Sequence, residues 1–178
     1  LRHLFYDSSE INLNSSPERM NFSSYSVLLW HPSINKIFPP GLHDKKFIIW
    51  WLFHYLRIFA NRYYSVMLVF DKENTLVHRS CIFPRYFRFP FMCENDLQIG
   101  DTFTALKFRG EGIATWAILK IIELLKTKDR KFWYLCAEDN LASIRVIEKA
   151  GFKKKGSGIR TAKWGFKMLG SFIITETV

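Results

Sequence analysis

The sequence predicts a mixed α/β (α+β) chain organised around one parallel βαβ unit. Three observations predict it. A β-like run over residues 96–106 leads into a double-glycine turn, Arg109-Gly110-Glu111-Gly112-Ile113-Ala114. An apolar, breaker-free run over 113–126 leads out of that turn and reads as a helix. A short apolar run over 132–136 follows the charged turn Lys128-Asp129-Arg130-Lys131. Strand, crossover helix and strand in that order give a parallel, right-handed pair. The chain has 178 residues, with no internal repeat and no compositional break. One domain over 1–178 is therefore expected.

The remaining elements follow in order. Residues 1–21 are polar and Ser/Asn-rich, with Pro17, and read as a loose N-terminal arm. Residues 26–30 read as a first strand, followed by a stiff loop with Pro32, Pro39, Pro40 and Gly41. Residues 43–61 lack a breaker and are apolar nearly all the way round, which predicts a buried helix. Two β-rich runs, 64–70 and 75–83, flank the turn residues Asp71-Lys72-Glu73-Asn74 and predict a hairpin. Residues 84–92 read as an irregular continuation, and Gly100 is a bulge candidate inside the 96–106 strand. Asn140 to Ala150 reads as a helix with Gly151 at its C-terminal cap. The tail, 152–178, holds two further strands broken near its glycines.

Composition narrows the chemistry. The formal net charge is +10, which favours an anionic partner without choosing one. Seventeen Phe predict a ring-packed core with rings left over to line a cleft. Cys81, Cys93 and Cys136 are odd in number and widely spaced, which argues against a disulfide framework or a zinc site and suits a reducing cytoplasm. The five histidines form no metal-ligand spacing, so no metal is expected. The Lys153-Lys154-Lys155 run reads as a solvated strand edge, and no nucleic-acid motif accompanies it. The apolar run 47–59 contains His54 and Arg57 and is too short to span a bilayer.

The glycine turn is a ready phosphate seat, because backbone N–H groups and the positive end of a helix coincide there. It is equally how an ordinary core helix begins. A second motif stands downstream: Asn140-Leu141-Ala142-Ser143-Ile144-Arg145-Val146-Ile147-Glu148-Lys149-Ala150-Gly151-Phe152. The pair R-x-x-G-x-A and N-x-x-S-x-R-x-x-E-K-x-G-F, with a strand between them, resembles the GNAT superfamily of acyl-CoA-dependent N-acetyltransferases. The details look closest to the branch that acetylates protein N-termini and some amino sugars. The resemblance covers 96–156, and the earlier half agrees in element order.

The resemblance implies a mixed, mostly antiparallel sheet with helices on both faces. Its central parallel pair is splayed to admit acetyl-CoA, and 96–156 is the cofactor-binding core. Arg109, Gly110, Glu111, Gly112, Ile113 and Ala114 would hold the pyrophosphate. Thr102, Phe103 and Thr104 would pair with the pantetheine arm, and Asn140 and Ser143 would stand near the sulfur. Many members carry a tyrosine four residues before the Gly-Phe pair, as acid for the leaving thiolate. Here that position is Ile147. Ser143 and Tyr134 are the remaining acid candidates, and a thiol of pKa about 8.5 can also leave unaided.

An acceptor amine must lose a proton before it attacks. Glu94, Asp96 and Asp101 lie on or near the strand beside the cofactor, and Asp101 is favoured because it adjoins Thr102. His78 on the hairpin is a further candidate. Each also has an ordinary structural reading, as a turn carboxylate, a partner of Arg85 or Arg88, or a core histidine.

The expected function is acetyl transfer from acetyl-CoA to a primary amine of a small molecule or peptide. The acceptor would be anionic if Arg85, Arg88 and His78 face the cleft. The alternative is a non-catalytic GNAT-like module that binds coenzyme A or a partner. A third reading is peripheral membrane contact through 47–59. Monomer and homodimer both remain open.

Overall fold

The hairpin sequences SVMLVF and LVHRSCIFP have no solvent face, so both sides of these strands must be covered. The computed structural model describes residues 1–11, 22–162 and 169–178. In it, β3 (Ser65–Phe70) and β4 (Leu76–Pro84) lie inside one eight-stranded sheet. The other strands are β1 (Arg2–Asp7), β2 (Ser26–Trp30), β5 (Leu97–Thr104), β6 (Phe132–Ala137), β7 (Lys153–Arg160) and β8 (Phe172–Thr177). Their spatial order is β2-β3-β4-β5-β6-β1-β7-β8. Among the described residues, β5 and β6 form the parallel pair and the other pairings are antiparallel.

Alternation along β3 assigns the two faces. Met67 packs with Ile82, Ile99, Ile118 and Ile121, under helix α2 (Ile113–Leu125). Val66 and Leu68 pack with Phe47, Phe59, Tyr64 and Phe83, under helix α1 (Lys46–Tyr55). Helix α2 buries Ile113, Ala117, Ile118, Ile121, Ile122 and Leu125, the stripe expected of a helix lying on a sheet. Helix α3 (Leu141–Lys149) joins the same face through Ile147. The second face is a continuous aromatic packing in which Phe53, Phe59, Tyr64, Phe83 and Tyr86 meet at 5.4–5.9 Å. Aromatic abundance in the sequence is thus concentrated on the α1 side.

Three expectations change. Residues 2–7 are not part of a loose arm. They form β1, inserted between β6 and β7, with Leu4, Phe5, Tyr6 and Asp7 buried. Only three consecutive apolar residues mark this strand, and its partners lie more than a hundred residues away, so the local pattern is weak. Residues 12–21 of the expected arm lie outside the described residues. The helix expected to be buried over 43–61 is shorter and is buried along one face only, with Ile48, Ile49 and Leu52 exposed. It ends at Tyr55, where Arg57 adopts φ 55° and the Ile58 N–H bonds Phe53 O at 3.0 Å. That is a Schellman closure without its usual glycine. The β5 bulge falls at Asp101 rather than Gly100, as described below. The tail strands appear as β7 and β8, and residues 163–168 between them lie outside the described residues. No described helix is long and apolar enough to cross a membrane.

The left-handed Arg57 is a removable strain, since only glycine adopts this conformation without a steric penalty. Arg57→Gly is expected to raise stability by about 0.5 kcal/mol or more, measured as a higher urea midpoint.

Candidate active site

The site begins where a ladder stops. β5 pairs with β6 only through Leu97–Phe132, Gln98–Trp133 and Ile99–Tyr134. Beyond these, β5 continues on β4 and β6 continues on β1, leaving a gap at the C-terminal ends of the parallel pair. Gln98 closes the fork. Its Nε2 donates to Ile99 O at 2.7 Å, where the pairing ends. A Cβ at Gly100 would stand 2.6 Å from that amide nitrogen, so the glycine leaves room for it. Open parallel strands receive ligands beyond these ends.

A bulge shapes the β5 wall. Arg79 opposes Phe103 and Cys81 opposes Gly100, so Ser80 faces two residues, Asp101 and Thr102. Asp101 takes φ 46°, and a bulge leaves a backbone N–H outside the ladder. The bulge also splits the side chains. Asp101 turns to the α1 face, where its carboxylate contacts Lys46 Nζ at 2.7 Å and Arg79 at 3.2 Å. Thr102 turns to the α2 face.

On the α2 face a row of hydroxyls crosses the gap. The Tyr134 phenol stands close to Thr102 on one side and Ser143 on the other. Thr102 Oγ1 is 3.1 Å from Ser80 Oγ, which is 3.0 Å from His78 Nε2. His78 Nδ1 is 2.8 Å from Thr104 Oγ1. Burial raises the Tyr134 phenol above its ordinary value, partly offset by its two hydroxyl partners. Burial, with the Arg79 charge adding to it, pushes His78 down to about 4, so its imidazole is neutral at physiological pH.

Above the gap stands the glycine turn. Gly110 and Gly112 both take positive φ, 86° and 78°. No side chain caps α2, and its first intrahelical bond runs from Trp116 N to Gly112 O. The N–H groups of Ile113, Ala114 and Thr115 precede that bond and point outward from the helix end. Arg109 anchors the turn to β5, donating from Nε to Thr104 O at 3.0 Å with its guanidinium 5.9 Å from the Phe103 ring. Glu111 accepts from the Tyr25 hydroxyl at 2.9 Å. Gly110 borders open space, with nothing within 4 Å of the point a Cβ would occupy.

The residues expected from sequence are therefore partly gathered. Asp101, Thr102, Phe103, Thr104, Tyr134, Ser143 and the loop Arg109 to Ala114 surround one gap. Asn140 caps α3, its Oδ1 accepting from Ser143 N at 3.1 Å. Ile147 is fully buried in the core below. Glu94 precedes β5, at the end opposite the gap, and the strand's first residue, Leu97, already lies about 17 Å along it from Thr102. Asp96 is buried and structural, accepting from Cys93 N, Lys131 N and Trp133 Nε1. His78 lies on the α2 face, fully buried, so it does not face a cleft on the α1 side with Arg88. Sequence reasoning missed Lys46, Arg79 and Ser80. The Arg79-Ser80 pair beside His78 was visible as polar residues interrupting an apolar strand. Among the described residues, no group of three or more His, Cys, Asp or Glu side chains is placed to hold a metal.

A sequence profile of the acetyltransferase (GNAT) family matches residues 29–152. Solved structures with a similar fold include a GCN5-related N-acetyltransferase from Sphaerobacter thermophilus, at 15% identity and TM-score 0.57, covering 88% of this chain and 49% of that one. An acetyltransferase from the GNAT family of Colwellia psychrerythraea aligns at 13% identity and TM-score 0.53, covering 86% and 52%. A tandem GNAT protein from the clavulanic acid biosynthesis pathway aligns at 15% identity and TM-score 0.57, covering 85% and 49%. The chain thus spans about half the length of these structures. A search of curated protein sequences found no match.

The neutral His78 has a measurable consequence. Its folded pKa, about 4, lies below the unfolded value near 6.5. The unfolded chain therefore takes up the proton first as pH falls. The associated stability is present above pH 6.5 and is lost toward pH 4, to the extent of about 3 kcal/mol. His78→Asn is expected to flatten this limb in urea melts compared at pH 7 and pH 4.5.

Proposed function

This chain belongs to the GNAT acetyltransferase family, and from that premise we propose that it transfers an acetyl group from acetyl-CoA to a primary amine, by direct attack in a ternary complex. The observation that carries this reading is the gap between β5 and β6, with the open N-terminus of α2 above it. Coenzyme A fits that combination. Its pyrophosphate takes the N–H groups between Gly110 and Thr115. Its pantetheine arm enters the gap along Thr102, Phe103 and Thr104 and replaces the missing ladder. Asn140, at the α3 cap, stands beside that arm.

The bulge then faces the thioester. Attack by the amine creates an oxyanion, and a backbone N–H released from the ladder at Asp101–Thr102 is placed to receive it. The amine comes from the α1 face, because α2 and α3 cover the other. Asp101 is the carboxylate on that side. Lys46 and Arg79 fix its position, and it takes the ammonium proton directly or through a water.

The Tyr134 hydroxyl, with Ser143, faces the leaving sulfur. Full proton transfer from this phenol is uphill, because its pKa is raised above about 10 while a thiol sits near 8.5. Tyr134 therefore stabilises the thiolate by donating a hydrogen bond, and the final proton comes from solvent. Ile147 supports the second reading, a module that binds coenzyme A without turnover, because the position of the usual tyrosine is filled by core.

Two measurements test the assignment. Gly112→Asp puts a side chain and a negative charge into the pyrophosphate seat and is expected to weaken acetyl-CoA binding at least tenfold by calorimetry. Unchanged affinity would reduce the loop to a turn. Tyr134→Phe is expected to lower kcat about 10- to 100-fold in a thiol-release assay over a broad amine panel, with acetyl-CoA affinity unchanged. Binding without thiol release for any amine in the panel would favour the module.

A further inference from the structure

Helix α1 leaves an apolar face outward. Ile48, Ile49, Leu52 and Leu56 are all exposed, Leu56 to 66%. At 3.6 residues per turn these four positions fall within about 100° of the helix circumference, so they form one stripe. Exposed Ile58 follows at its C-terminal end. On its flank, the Ser33 and Lys36 backbones bond each other at 3.2 and 3.0 Å and close a tight turn. Trp51 Nε1 donates to Ser33 O at 2.9 Å and holds that turn against the helix. Ile34, at the tip of the turn, is 74% exposed. Phe47, Trp50 and Phe53 point the other way, into the aromatic layer over the sheet. Single exposed aliphatics are ordinary, but a contiguous group marks a contact surface.

The border of this surface is cationic. Between Ser26 and Phe70 the sequence carries Lys36, Lys45, Lys46, Arg57 and Arg62 against one acid, Asp44. Lys46 is engaged by Asp44 at 3.4 Å and by Asp101 at 2.7 Å. The other four cations are exposed and form no ion pair among the described residues. Lys45 precedes Ile48 and Ile49 by one turn, and Lys36 closes the turn that carries Ile34. Arg57 follows Leu56 directly, in the left-handed conformation that glycine adopts most easily. A cation is thus kept at the end of the stripe at a backbone cost.

Apolar side chains bordered by unpaired cations match the boundary of an anionic bilayer, where acyl chains lie beneath phosphate and carboxylate groups. Helix α1 has ten residues, about 15 Å of length, so it lies along such a surface and does not cross it. A second copy of the chain matches less well, because the same unpaired cations would meet across a two-fold axis. A protein partner also matches less well. Protein contacts centre on aromatic anchors seated in pockets, and this stripe is aliphatic.

We propose that the outer face of α1, with the Ile34 turn, docks the protein on an anionic lipid bilayer. Ile48, Ile49, Leu52 and Leu56 enter the boundary between headgroups and acyl chains. Lys36, Lys45, Arg57 and Arg62 stay at the level of the lipid phosphates. Peripheral contact through 47–59, one of the readings of the sequence, thereby acquires a defined face. This surface stands apart from the acetyl-transfer reading of the gap.

The test is co-sedimentation of the full chain with phosphatidylcholine vesicles containing roughly one third phosphatidylserine. The chain is expected to sediment with these vesicles, and at least tenfold less with phosphatidylcholine alone. Leu56→Glu puts a negative charge into the stripe and is expected to weaken binding at least tenfold. Arg57→Gly is expected to weaken it about fivefold, the share of one cation near an anionic surface. The same variant is expected to be the more stable protein in urea, so its weaker binding is no folding defect. Thermal melts check the fold of Leu56→Glu. Lys154→Gln removes an exposed cation from β7 and controls for the net charge of +10, and it should leave binding nearly unchanged. No sedimentation, equal sedimentation with both vesicles, or binding indifferent to Leu56→Glu overturns the proposal. Equal losses from Lys154→Gln and Arg57→Gly also overturn it, because adhesion then follows net charge and not this face. A dimer in sedimentation velocity that Leu56→Glu dissociates assigns the face to a second copy and overturns it as well.

Discussion

Three residue pairs hold β5 to β6, and then the strands part. Every feature of the site depends on that separation. An open ladder exposes backbone groups that must be satisfied, and the chain answers differently on each wall. At the fork the Gln98 amide takes up the Ile99 carbonyl. On the β5 wall the bulge lets Asp101 and Thr102 face opposite sides. On the α2 face the Tyr134 hydroxyl stands between Thr102 and Ser143, so hydroxyls rather than paired backbone fill this part of the gap. Such hydroxyls can rotate toward a ligand. Backbone pairing could not open without breaking the sheet.

Helix α1 organises the other face. It has no solvent-facing polar stripe, because Phe47, Trp50 and Phe53 pack inward while Ile48, Ile49 and Leu52 remain outside. Its first turn reaches Asp101 through Lys46, and its second reaches Arg88 through Trp50. A single rigid element thus touches both the bulge carboxylate and the Arg88 guanidinium on this face. The aromatic packing beneath it explains why so many rings are needed. They hold a short helix in register with the β5 bulge.

What was legible in the sequence was local. The turn Arg109 to Ala114, helix α2 and the Asn140–Ser143 cap each lie within a few residues, so spacing alone revealed them. The choice among Glu94, Asp96 and Asp101 was only partly legible. All three are near β5, but strand direction places Asp101 at the open end and Glu94 at the closed one. Asp96 is consumed by three donors that no local pattern announces. Lys46 and Arg79 were invisible as site residues because their partner Asp101 comes from a distant part of the chain. The overlong reading of α1 failed for a different reason. Its stop is a left-handed arginine, where pattern reading waits for glycine or proline.

Strand β1 carries one more implication, for the order of assembly. The ribosome makes it before the other seven strands, yet its two neighbours, β6 and β7, are encoded more than a hundred residues later. At about 5–20 residues per second, on the order of ten seconds pass before either partner emerges. During that wait Leu4, Phe5 and Tyr6 have no strand to pair with. The hairpin of β3 and β4 and the β5–α2–β6 unit can form meanwhile, each from near neighbours. The sheet closes last, when its earliest strand slides between two of its latest ones, and until then β6 presents an open edge to the cell.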